Sequence, residues 1–155
     1  VSESDLPYIG ADQAEPAAES RELFIRRYTE QEVTSIYELA RLSFETGDYK
    51  RAEIICSGLI AVAPDFIPGF LLMAIVQAFN SNFDKSIEFA QQVLKLDSNN
   101  IEAQVLAASV YLTLANFNMA GTLLGEISEK LKRGIEFSPV LKRFYEVQLA
   151  RFEAR

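Results

Sequence analysis

A step of 34 residues, kept three times, constrains this chain more than any other feature in it. Ala52 follows the turn Gly47-Asp48-Tyr49, Ser86 follows Asn80-Ser81-Asn82-Phe83, and Ala120 follows Asn116-Phe117, so small residues recur at one phase. Tyr49, Phe83 and Phe117 keep the same step, as do Ala40, Ala74 and Ala108, and likewise Leu39, Met73 and Ala107. A period of this length means stacked supersecondary units, each too small to bury its own apolar face and each completed by its neighbours. Small residues at a fixed phase allow helix axes to approach closely. A large side chain at 52, 74, 108 or 120 should overpack the hairpin and cost about 1–3 kcal/mol.

This grammar of small and aromatic residues resembles the tetratricopeptide repeat, two antiparallel helices per unit. The first copy carries it most clearly, in Leu39-Ala40, Gly47-Asp48-Tyr49, Ala52 and the closing Pro64. The expectation is an all-α tetratricopeptide-repeat solenoid of three helix hairpins, at 33–66, 67–100 and 101–132, between an N-terminal helix and a C-terminal capping helix. Thr29-Glu-Gln-Glu32 is a capping-box pattern and should open the first repeat helix. A solenoid also needs a cap over its last stacking face. Residues 138–155, after the break at Glu136 to Pro139, supply a helix for that purpose. Val140, Phe144, Val147, Leu149 and Phe152 recur on one side of it, with Lys142, Arg143, Arg151 and Arg155 left to solvent.

Ahead of the repeats, residues 1–15 read as a flexible acidic arm and 16–30 as a short amphipathic helix, so that 16–155 form a single domain. Residues 1–20 hold five acidic and no basic side chains, around one apolar island, Leu6-Pro7-Tyr8-Ile9. That island is either an exposed scrap or a segment that docks in the protein's own groove or on another chain. Residues 130–155 hold seven basic and three acidic residues, which makes arm-to-cap attraction the alternative to two independently solvated surfaces.

Composition removes several function classes. A net charge of -7 lacks the basic footprint that nucleic acid requires. No apolar run is long enough to span a membrane, no secretory leader is read, and the expected compartment is the cytoplasm. Histidine is absent, which removes the commonest general base and a common metal ligand together. Cys56 should be a packed, inert thiol, since nothing near it in sequence would lower its pKa. Without a phosphate loop, metal cluster or nucleophile–base pair, the expectation is no enzyme, no cofactor and no metal.

The resemblance implies that the first helix of each repeat lines a concave wall. Matched one residue at a time, the peptide-contacting positions are Tyr37, Arg41 and Phe44 from the first repeat. The second gives Leu71, Ile75 and Phe79, and the third Val105, Ser109 and Leu112. Phe66 to Phe79 carries no charged residue, so it is either buried all round or offers an apolar face to a partner. Among these positions only Arg41 is cationic, unlike the Lys, Asn and Arg clamp of the repeat domains that grip acidic chaperone tails. An extended peptide with apolar anchors is the better match.

Three repeats between two flanking helices, with Tyr37-Glu-Leu-Ala40, Phe44, Gly47, Tyr49 and Ala52 in the first, are similar to the class II chaperones of bacterial type III secretion. Those proteins hold hydrophobic translocator subunits before export. The resemblance implies pockets at Tyr37 and Phe44 for a short extended client segment, and a homodimer through the N-terminal helix. The uncharged first helix of the second repeat departs from that pattern. The rival reading is a constitutive scaffold or adaptor subunit, bound through its convex face or its ends.

Overall fold

The computed structural model describes residues 28–155, all helix and turn. The sequence-predicted arm at 1–15 and nearly all of the helix at 16–30 lie outside the described residues. Seven helices follow: α1 (Glu30–Glu45), α2 (Tyr49–Val62), α3 (Ile67–Phe79), α4 (Phe83–Leu96), α5 (Ile101–Thr113), α6 (Phe117–Lys132) and α7 (Pro139–Glu153). α1 opens with the expected capping box: the Glu32 amide donates to Thr29 Oγ1 at 3.2 Å, and the Thr29 amide donates to Glu32 Oε2 at 2.8 Å.

Each hairpin turns in the same way because the backbone at one phase adopts positive φ. Gly47 has φ 85°, Ser81 φ 61° and Ala115 φ 56°. The next amide in each case reaches back to the preceding helix: Asp48 to Ser43 O at 2.9 Å, Asn82 to Gln77 O at 2.8 Å, and Asn116 to Tyr111 O at 2.8 Å. These bonds satisfy carbonyls that a helix end otherwise orphans. Only the first repeat uses glycine where the left-handed region favours it.

Consecutive helices pack as hairpins, and α1 also touches α3, α3 touches α5, and α5 touches α7. The odd-numbered helices therefore run side by side along one wall. Ala40, Ala52, Ala74, Ala108 and Ala120 are wholly buried at the crossings. Ser86 stands where the other repeats have Ala52 and Ala120; its hydroxyl donates to Ala74 O at 2.7 Å, so the buried polar group is satisfied. The apolar character of α3 is explained by its position. It is the central helix, and Phe70, Leu72, Met73, Ala74 and Val76 are buried against neighbours on several sides.

Candidate functional site

The inner wall of the solenoid holds an apolar cleft of about 390 Å³. α5 forms its floor with Glu102 and Leu106, α3 one wall with Leu71, Ile75 and Phe79, and the start of α7 the other with Val140, Leu141 and Phe144. A second hollow shares Leu71, Glu102 and Leu141 and extends past Pro68 and Ile101 to Tyr37. Together they make one furrow crossing the odd-numbered helices.

At one end the furrow is stiffened by rings. Phe79 meets Phe44 edge-on with centroids 5.0 Å apart, and Tyr49 lies 5.5 Å from Phe79 and 5.4 Å from Phe44. Such contacts fix ring positions beyond simple burial. Phe79 nevertheless remains 60% exposed. Tyr37 packs edge-on against Phe66 at 5.7 Å. Burial pushes its hydroxyl above the usual phenol range, Arg41 opposing, so it stays protonated and able to donate.

The sequence-predicted positions divide. Leu71, Ile75 and Phe79 line the cleft, and Tyr37 lines the adjoining hollow. Phe44 supports Phe79 from below rather than lining the cleft itself. Arg41 is exposed and held on its own helix by Glu38 at 2.7 Å and Glu45 at 3.6 Å. The third-repeat positions differ most. Val105 is 0% exposed and packs with Ala108, Leu124, Ile127 and Tyr145, and Leu112 is also buried. For Val105 the reason is α7, which lies across α5 like the first helix of a further repeat and packs Tyr145 against it. Ser109 is half-buried, and its hydroxyl is spent on Leu106 O at 2.7 Å.

α7 also corrects the reading of its own face. Leu141, Tyr145, Gln148 and Phe152 turn inward, whereas Val140, Phe144 and Val147 are exposed. Gln148 hides the inward stripe from a hydropathy reading, yet it is buried with Oε1 accepting from Arg151 Nη1 at 2.6 Å. The cleft wall at Val140 and Phe144 was therefore missed. The signal available for it was a helix with two apolar stripes where a cap needs one. Cys56 is buried, and that burial pushes its thiol up to about 12, the inert packing expected of it.

Three stacked hairpins with small residues at each crossing and an open inner wall define a tetratricopeptide-repeat solenoid. The comparisons agree with that class. No protein-family model matches the chain. A stretch of 68 residues, 44% of this chain, is 28% identical to the UDP-N-acetylglucosamine--peptide N-acetylglucosaminyltransferase of Caenorhabditis elegans, and spans 6% of that protein's length. Among solved structures, the type III secretion chaperone SycD of Yersinia enterocolitica, in complex with a peptide of the translocator YopD, superposes with a TM-score of 0.71. That match covers 81% of this chain and 93% of SycD at 18% identity. The Sgt2 tetratricopeptide domain of Aspergillus fumigatus gives a TM-score of 0.66 over 79% of this chain and 80% of that domain, at 16% identity. At these identities the likeness is one of fold.

Proposed function

We propose that this chain is a non-catalytic binding module that holds an extended, apolar peptide segment in its concave furrow, as a cytoplasmic chaperone of the type III secretion kind for a hydrophobic client. One observation carries the reading: Phe79 and Val140, 60% and 77% exposed, stand on the two walls of a cleft whose lining is apolar apart from Glu102 and Ser138. Exposed apolar surface that is both concave and contiguous marks a binding site. Each large anchor buried there contributes about 1.5–3 kcal/mol. SycD, of like fold, has been solved with a peptide of YopD, which supports a peptide as the ligand class. A homodimer through residues 16–30 belongs to the same reading, and sedimentation of the full chain tests it.

The scaffold reading has its own support. Leu39, Leu42 and Ile54 are exposed on the first hairpin and line none of the hollows of the inner wall. Peptides selected from a random display library against the full chain separate the two. Phe79→Glu/Val140→Glu should weaken the selected peptides at least tenfold, since about 1.4 kcal/mol suffices for that. Leu42→Glu/Ile54→Glu should leave them unchanged. Undiminished binding to the cleft variant, with loss in the other, supports the scaffold instead.

A further inference from the structure

The chain carries a segment whose chemistry matches the cleft. Leu6, Tyr8 and Ile9 are the bulky apolar side chains between Ser2 and Ser20, and they are clustered around Pro7. We propose that Leu6–Ile9 occupies the cleft between α3 and α7 in the unliganded protein, as an internal competitor that an incoming peptide must displace. This inference rests on the preceding reading of the cleft as a site for extended apolar segments.

Three observations support it. The first is shape: proline fixes its own φ and disfavours the helical region for the residue before it, so a Leu-Pro step suits a site for extended segments. An occupant extended in advance loses less entropy on binding.

The second is reach. The odd-numbered helices start along one edge of the solenoid, and the described chain enters α1 from that edge at Tyr28. The cleft includes Ser138 and Val140 at the start of α7 and Glu102 at the start of α5, on the same side. Neighbouring helix axes lie about 8–10 Å apart, so the floor at α5 is roughly 20 Å from α1. Residues 10–27 intervene between the island and Tyr28. Even at the helical rise of 1.5 Å per residue, the shortest regular span, such a stretch covers about 27 Å. The tether is long enough. Tethering also sets an effective concentration of about millimolar, so the chain's own segment outcompetes another copy's at micromolar protein.

The third is charge. Lys142 and Arg143 lie between Val140 and Phe144 in α7, are exposed, and have no ion-pair partner among the described residues. The island is bracketed by Glu3, Asp5 and Asp12. Glu102, on the floor, repels those acids, which lays them toward α7. The apolar side chains set the affinity and the charges set the direction of the strand.

The test uses the full chain. Cys56 is buried and its thiol pushed up to about 12, so a Ser4→Cys variant takes a nitroxide label at one place. Methyl NMR should then show intensity loss at Ile75, Val140 and Leu141. That loss should persist when labelled chain is diluted into unlabelled chain, and vanish in Leu6→Ser/Tyr8→Ser/Ile9→Ser. The triple variant should bind the display-selected peptides about tenfold more tightly, the factor expected if one-tenth of the native chain is open. Intact cleft methyls, loss that disappears on dilution into unlabelled chain, or loss centred on Leu39, Leu42 and Ile54 would each overturn the proposal. If the label reports docking but Phe79→Glu/Val140→Glu leaves external peptide binding intact, internal docking stands and the client reading fails.

Discussion

The ring of Phe152 lies directly on the backbone of α6 at Gly121: a β-carbon built there would sit 2.9 Å from Cζ and 3.1 Å from Cε2 of that ring. Four residues on, Gly125 has nothing within 4 Å of the same position. Two glycines of one helix thus do different work. Gly125→Ala should stabilise by about 0.5–1 kcal/mol, because alanine gains helix propensity at no steric cost. Gly121→Ala gains the same propensity but must displace Phe152 from α6, which costs about 1–3 kcal/mol. Urea unfolding of the two variants should place Gly121→Ala below Gly125→Ala. Equal midpoints would mean that Phe152 does not pin the capping helix.

The repeat itself was legible because its signal is redundant. Ala40, Ala74 and Ala108 mark one crossing in each hairpin, and a misreading of any one residue leaves the phase intact. The central helix α3 was legible only as a choice between burial and an open apolar face, and it has both: Leu72 and Val76 are buried while Leu71 and Ile75 line the cleft. The third repeat was not legible from its own sequence. What covers Val105 is Tyr145, forty residues later, and no local pattern announces that contact. The apolar wall at Val140 was obscured because Gln148, buried and hydrogen-bonded, broke the stripe that actually packs.

The turn phase yields a second prediction. Ser81 and Ala115 adopt the left-handed conformation that Gly47 occupies in the first hairpin. For a side chain that bears a β-carbon this costs about 1–2 kcal/mol, partly offset by the greater freedom of glycine when unfolded. Ala115→Gly should therefore stabilise by about 0.5–1 kcal/mol, and Gly47→Ala should destabilise by about 1 kcal/mol. For a domain of this size about 1 kcal/mol moves the thermal midpoint by about 2–4 °C, within reach of calorimetry.

Cys56 gives a pH dependence with a definite sign. Its thiol is raised by burial from 9.0 to about 12, so the folded chain keeps a proton that the unfolded chain sheds over that range. The stability this group contributes is complete below pH 9 and is lost as pH rises toward 12. Its slope is at most about 1.4 kcal/mol per pH unit. The Tyr37 hydroxyl, also raised by burial, acts in the same direction above 10.0. Chemical unfolding at stepped alkaline pH should show Cys56→Ala losing stability less steeply than the native chain. An identical slope would mean that the thiol is not shielded. Thiol reagents at neutral pH should modify Cys56 only after unfolding.

The two faces of α7 allow folding and the proposed binding to be tested separately on a single helix. Tyr145 is 4% exposed, meets Phe137 edge-on at 6.4 Å, and packs on Val105 and Ile127. Truncating a buried aromatic costs about 3–5 kcal/mol, so Tyr145→Ala should shift the urea midpoint strongly. Val140 is 77% exposed on the other face. Val140→Ser removes little buried surface and should leave stability within about 0.5 kcal/mol. The same change removes one of the three α7 side chains that wall the cleft and should weaken the display-selected peptides. A Val140→Ser chain that unfolds early would mean that this residue is a core position. One that is stable and binds undiminished would remove α7 from the binding wall. Only normal unfolding joined to weaker binding fits a helix that caps the solenoid with Leu141, Tyr145 and Phe152 and receives a peptide with Val140 and Phe144.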